Sequence, residues 1–271
     1  MFLHGIEPEK QILRNGDTLS DDWPSGMDNN FDAVMMNPPY SANWSASQGF
    51  ISDPRFRDYG VLAPKSKADY AFLLHGFYHL KHSGTMSIVL PHGVLFRGAA
   101  EGKIREKLLE KGYIYAVIGL PANLFFNTSI PTCIVVLKKD RTVEDNKNVL
   151  FIDASQDFVK GKKQNTLSQE NIEKIISTYK DRKDVEKYAH LASFDEIKEN
   201  DFNLNIPRYV SNFKEEPEVD LSTLKSEMQD IQKNIKSNTS DLISMMSDLT
   251  SSDPKVLEDI QGLIQIFKED K

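Results

Sequence analysis

The sequence predicts an α/β protein with a helical tail, and three observations carry that expectation. Short apolar and β-branched runs at 31–36, 86–90, 132–137 and 149–153 alternate with stretches of helical apolar spacing, as strand–helix–strand units do. The first run halts at Asn37-Pro38-Pro39-Tyr40. Proline has no N–H for a strand ladder, so this reads as a buried strand stopped at its C-terminal edge, where open α/β sheets bind ligands. Beyond Pro217, residues Leu221, Leu224, Met228, Ile231, Ile235, Asn238, Leu242, Met245 and Leu249 follow alternating spacings of three and four, a heptad seam with one polar break.

With 271 residues, 39% hydrophobic and 27% charged, the chain is long enough for one large domain or a domain with an appendage. No apolar run approaches a membrane span, and Met1-Phe2-Leu3-His4-Gly5 lacks the features of a signal peptide, so a cytoplasmic chain without membrane association is expected. The single cysteine, Cys133, lies in an apolar run, which excludes an intramolecular disulfide and fits a small core residue. Net charge is −7, but 7 lysines against 13 carboxylates from position 214 onward place −6 of it in the tail. The body is thus nearly neutral and, through local basic patches, remains able to bind DNA, weakly unless a more basic partner helps.

Asn37-Pro38-Pro39-Tyr40 suits one chemistry, methylation of an amine whose lone pair is delocalised into a ring or carbonyl. Such a nitrogen is planar and a poor nucleophile, so a site must accept hydrogen bonds from both N–H groups and draw the lone pair out of conjugation. The Asn37 side-chain oxygen and the Pro38 carbonyl can supply the two acceptors, Pro39 fixes the turn, and Tyr40 offers a flat face to a base swung out of a duplex. The plain alternative is an ordinary Pro-Pro turn after a strand.

In chain order, residues 1–6 read as the end of a helix stopped by Gly5, and 12–19 as a short strand ending in a loop that presents Asp17. A loop aspartate is ordinarily a turn residue; one strand before the Asn37 edge, Asp17 can instead accept the exocyclic amine of a bound adenine ring. Residues 41–64 form a long loop over that edge, with Trp44, Phe50, Phe56 and Tyr59 as anchors and Arg55 and Arg57 as candidate phosphate contacts. A helix over 68–80 packs on the sheet, with Asp69 at its start as a cap or a site residue. His75, His79 and His82 share its spacing, but without a Cys pair or an H-E-x-x-H string no metal site is expected. Gly84 turns the chain into the strand 86–90, and a helix over 101–111 sets Ile104, Leu108 and Leu109 against Lys103, Arg105 and Lys107 on a solvated face. Strands at 113–120 and 132–137 flank a loop with adjacent Phe125 and Phe126, and a last strand spans 149–153. Lys160, Lys162 and Lys163 lie in a basic turn, equally readable as phosphate contacts and as plain surface lysines. Surface helices at 171–179 and 194–200 precede an extended closing segment at 205–209. After Asp253-Pro254, Val256, Leu257, Ile260, Leu263, Ile264 and Phe267 mark a second amphipathic helix.

Asn-Gly-Asp-Thr-Leu at 15–19 and Phe-Asp-Ala-Val-Met-Met-Asn-Pro-Pro-Tyr at 31–40 resemble the adenine-N6 DNA methyltransferases, most closely the methylation subunit of type I restriction–modification systems. The resemblance continues through 90–98, 117–126 and 203–209, so that several motifs stand in the same order over residues 1 to 213. It implies a Rossmann-like S-adenosylmethionine-dependent methyltransferase sheet, incomplete here, because the family's helical N-terminal domain and its strand with the glycine-rich cofactor turn have no counterpart in this chain.

What the resemblance implies about function follows from those positions. Residues 1–213 would be the C-terminal part of a catalytic domain and 214–271 a helical tail, folded back as a hairpin or docked on the specificity subunit. Asn37, Pro38, Pro39 and Tyr40 would be catalytic, Tyr40 and Phe125 would stack on an extruded adenine, and Asp17, Asn37 and Asp69 would border S-adenosylmethionine. DNA, the specificity subunit and the restriction subunit are the implied partners. Weak or absent cofactor binding by these 271 residues is expected, and with it inactivity in isolation. Two rival readings are an inactive assembly module of the same complex and a glutamine-side-chain or RNA-amine methyltransferase sharing the site.

Overall fold

Along the first strand Val34 and Met36 alternate with Ala33 and Met35, and that period of two decides which side chains meet the core. In the computed structural model, which describes residues 14–24, 31–126, 128–141, 147–211 and 220–269, this strand, β1 (Phe31–Met36), lies parallel to β2 (Leu80–Pro91). Helix α1 (Asp69–Tyr78) connects the two strands. Then follow α2 (Ala99–Glu110), β3 (Ile114–Gly119), β4 (Thr132–Lys138), β5 (Val149–Asp153), α3 (Gln169–Asp181), β6 (Ala189–Ala192) and α4 (Phe194–Glu199). The sheet order is β1-β2-β4-β3-β5-β6, with β1/β2 and β3/β5 parallel and the other pairs antiparallel. The chain divides into two compact units, Met1–Phe213 and Lys214–Lys271.

One sheet face is thickly covered. Met86, Ile88 and Leu90 of β2 are fully buried in a core with Tyr70, Leu73, Leu74 and Phe77 of α1 and Ile104, Leu108 and Leu109 of α2. Each such aliphatic side chain stabilises the fold by roughly 1.5–3 kcal/mol relative to exposure. On the second face a smaller cluster gathers Ala116, Ile118, Leu150 and Ile152 around Ile175 of α3. Cys133 is buried within β4, as its apolar neighbours predict.

Several sequence expectations change. The run at 31–36 is a strand but not a buried one: only its Val34/Met36 face packs on the core, and Met35 is 86% exposed. Hydrogen bonds join β1 to β2 alone among the described strands, which makes it an edge, and an apolar sequence does not by itself choose between edge and centre. β2 starts at Leu80 rather than after Gly84, which instead sits inside it. A side chain at Gly84 would come within 2.9 Å of the Phe31 carbonyl, beside the register slip between Phe31 and Ala33. Arg14 to Leu19 is irregular and turn rather than strand, and the readings at 1–6 and 12–13 fall outside the described residues. Arg105 is 3% exposed, not solvated, and donates to the carbonyls of Val94, Arg97 and Phe202. The four-residue β6 is too short to give a periodic signal. Segment 205–209 closes the unit through a 3-10 turn at Ile206–Arg208, with the Tyr209 ring stacked on Phe151 at 3.9 Å and 9°.

The second unit, among the described residues, consists of α5 (Leu221–Ser247) and α6 (Pro254–Glu269). Asp220 caps α5, accepting from Ser222 N–H at 3.0 Å and from the Thr223 hydroxyl. Half-buried Thr239, Ile243 and Met246 of α5 and Ile260 and Ile264 of α6 lie off the heptad seam. The seam itself stays exposed from Leu221 to Leu249, and α5 has no buried residue.

Candidate active site

Asn37 to Tyr40 leave the end of β1 with Pro38 buried, Asn37 and Pro39 exposed and Tyr40 half-buried. They form one wall of a cleft of about 560 Å³, whose other wall is Phe125, Phe126, Thr128 and Ile130 from the loop between β3 and β4. The Tyr40 and Phe125 rings face each other across it, centroids 6.4 Å apart and planes at 84°. Phe126 also lines the cleft but is 86% exposed, whereas Phe125 is half-buried against the second core cluster. The Tyr40 hydroxyl donates to Asn37 Oδ1 at 2.9 Å, and burial raises its pKa above the ordinary value, so it stays a donor. One lone pair of the Asn37 side-chain oxygen is therefore engaged by Tyr40.

The turn at Tyr40 is held from below. Asp69, wholly buried, accepts the Ser41 N–H at 2.7 Å and Arg97 Nη2 at 2.6 Å, and Arg97 is gripped in turn by Glu101 at 2.6 and 2.8 Å. Burial opposes the charge on Arg97, but the hydrogen bonds it donates to the Glu101 and Asp69 carboxylates, with their negative charge, outweigh it and raise its pKa. Asp69 does not cap α1, whose N-cap is Ala68, and its carboxylate faces protein partners on both oxygens. It holds the Ser41 N–H immediately after Tyr40. Ser41 and Arg97 escaped the sequence reading because each meets Asp69 from 28 positions away, which leaves no local pattern; Glu101 pairs with Arg97 at the i,i+4 spacing, a signal that was present in the sequence.

Asp17 stands apart, exposed beside a hollow of about 50 Å³ lined by Arg14, Gly16, Thr18, Asp21 and Trp23. The Ser20 hydroxyl at 2.9 Å and the Leu19 N–H at 3.0 Å hold its carboxylate below the ordinary range, so it is an acceptor at neutral pH. Small-molecule sites run to roughly 300–1,000 Å³. The hollow beside Asp17 is well below that size.

A buried cluster anchors this loop. Arg55 is 3% exposed and donates to the carbonyls of Thr18 and Leu19 at 3.0 and 3.1 Å and to Asp53 at 2.7 Å, which overturns its reading as a phosphate contact. Its Nη1 also meets His75 Nδ1 at 3.2 Å, so His75 accepts there and its Nε2–H points at Thr18 Oγ1, 3.0 Å away. Burial, with His79 and Arg55 alongside, lowers the His75 pKa to about 4, consistent with a neutral ring. Asp22 joins His75 and His79 within 4.8 Å, a set able to hold a metal by atom type. The Arg55 guanidinium, 3.5 Å from Asp22 Oδ1, already supplies the positive charge. Trp44, Phe56 and Tyr59 are buried, so the aromatics of the long loop anchor it.

Comparisons with known proteins place the chain in a family. The type I restriction enzyme MpnII methylase subunit of Mycoplasma pneumoniae is 40% identical over 254 residues, 90% of this chain and 46% of that protein. The MjaVII methylase subunit of Methanocaldococcus jannaschii is 33% identical, over 87% of this chain and 42% of its own length. A crystal structure of the type I restriction–modification methyltransferase subunit from Streptococcus thermophilus superposes with a TM-score of 0.76 at 65% identity, over 79% of this chain and 45% of that one. This chain thus spans about half the length of the curated relatives it matches. The model of the N-6 DNA Methylase family covers residues 1–218, the cleft and both its walls included, and the chain belongs to that family.

Proposed function

We propose that this chain is the target-base half of an adenine-N6 DNA methyltransferase, the methylation subunit of a type I restriction–modification complex. The observation that carries the reading is the cleft in which Asn37 and Pro38 lie beneath two facing rings, Tyr40 and Phe125. An adenine extruded from the duplex enters by parting the edge-to-face rings and stacks on them, which offsets part of its unstacking cost. Its exocyclic amine displaces the Tyr40 hydroxyl from Asn37 Oδ1 and places its second N–H on the Pro38 carbonyl. Both hydrogen bonds favour a pyramidal nitrogen whose lone pair has left the ring. S-adenosylmethionine supplies the methyl group in this chemistry. Asp69 and Arg97 keep the Tyr40 turn in place, and Asp17 meets one edge of the donor's site.

The tail supports assembly with other subunits. A seam exposed along the whole of α5 suits a partner helix, and the specificity subunit is the proposed occupant, with DNA and the restriction subunit as the other proposed partners in the complex. The test is methyl incorporation by the complete assembly, with labelled S-adenosylmethionine and either DNA or release-factor protein as acceptor. Asn37→Ala is expected to lower incorporation into DNA by about 100- to 1,000-fold, the usual cost of removing one preorganised hydrogen-bonding group. Retention within tenfold, or label in protein alone, overturns the reading.

A further inference from the structure

Each wall of the cleft carries a lysine-bearing turn, fastened to it by backbone groups. On the Phe125 side a hairpin at 159–166 closes through the Val159–Thr166 bridge and clamps onto the loop above the cleft. Asn165 N–H donates to the Asn123 carbonyl at 2.8 Å, Asn165 Nδ2 to Ala122 at 2.9 Å, Asn123 Nδ2 to Lys163 at 3.2 Å, and Gln164 Nε2 to Leu124. A side chain at Gly161 would collide with the Gln164 carbonyl, so this tight tip requires glycine. The tip displays Lys160, Lys162 and Lys163, all exposed. On the Tyr40 side, Trp44 N–H donates to Lys65 O and Ala68 N–H to Ala42 O, laying Lys65 and Lys67 against the segment that follows Tyr40.

None of these five ammonium groups has a carboxylate partner among the described residues. Asp157, three positions before Lys160, is already paired with Lys174 at 3.0 Å. The charge is local, since the chain as a whole carries −7. An extruded nucleotide stays covalently joined to its two flanking phosphates, so a cleft that takes the base also receives backbone charge beside its walls.

We infer that the two lysine turns, Lys160/Lys162/Lys163 and Lys65/Lys67, hold the DNA backbone on either side of the extruded base. This rests on the adenine-cleft reading and adds a phosphate-binding role for residues that do not touch the base. Such contacts release counterions, so affinity for DNA falls with salt at a slope of about 0.9 per phosphate neutralised.

The experiment measures binding of the complete assembly to a fluorescent random-sequence duplex across a salt series. Replacing Lys160, Lys162 and Lys163 with alanine should make the slope of log affinity on log salt shallower by about 2 to 3. Lys65→Ala with Lys67→Ala should remove up to about 2, and the corresponding arginine variants should keep the native slope. Slopes unchanged in both alanine variants overturn the inference, as does an equal loss in the arginine variants, which would indicate structural damage. Asn37→Ala separates the two readings: it should leave the slope intact while methylation is lost. Methylation surviving that change sinks the adenine cleft without touching the salt result.

Discussion

The two units of this chain bury their apolar residues in opposite ways. In the body, β2, β5 and the helices over them hold Met86, Ile88, Leu90 and Phe151 at 0% exposure. In the tail, Met228, Ile231 and Ile235 are each more than half exposed, although their spacing is more regular than any in the body. Regular spacing makes a helix with an apolar stripe; it does not provide something to cover the stripe. The body closes its core with its own elements, whereas the α5 seam stays exposed along its length.

Core truncation gives the sharpest test of that contrast. Phe151→Ala removes a buried ring and its stack with Tyr209, and should cost about 3–5 kcal/mol, read as a lower urea midpoint for the body. Asp69→Ala leaves Arg97 paired to Glu101 alone and frees the Ser41 N–H. A loss of about 3 kcal/mol is expected, with slower methylation because the Tyr40 turn loosens. Wild-type activity in Asp69→Ala would remove Asp69 from the positioning role.

Acid probes the same body through His75. Its folded pKa, about 4, lies below the unfolded value of about 6.5, so below pH 6.5 the unfolded chain takes up a proton that the folded chain refuses. The stability involved, on the order of 3 kcal/mol, is present above pH 6.5 and lost as pH falls toward 4. Denaturation series at several pH values should show that decline, and His75→Gln should flatten it. In the tail, Ile231→Ala should change the stability of the isolated chain by less than about 0.5 kcal/mol while weakening capture of the specificity subunit. A loss above about 1 kcal/mol would mean that the seam is already covered and would erase the contrast.

Legibility followed the range of the interactions. Asn37 to Tyr40 could be read because four consecutive residues contain the strand end, the acceptors and the ring, and the heptads of α5 because their period repeats within one helix. The resemblance implies only that one of the adjacent phenylalanines lies opposite Tyr40; the facing ring and partial burial that distinguish Phe125 from Phe126 join segments 85 residues apart. Arg55 looked like a surface cation because it sits in a charged stretch of loop with Asp53, Arg57 and Asp58. Its partners at Thr18, Leu19 and His75 lie 20 to 37 positions away. Lys160, Lys162 and Lys163 were visible as a basic turn, but not as a turn bolted to the wall of the cleft.

By itself the sequence determined the α/β class, the strand that ends at Asn37-Pro38-Pro39-Tyr40, and a tail of two amphipathic helices, since propensity, proline chemistry and apolar period are properties of adjacent residues. Only the tertiary structure decided that β1 is an edge among the described strands, that Asp69 accepts the Ser41 N–H while Arg97 holds Asp69, that Arg55 is buried and that the Tyr40 hydroxyl donates to Asn37. Each of those depends on which distant segment becomes a neighbour, and burial and hydrogen-bond satisfaction have no value until the sheet has chosen its order.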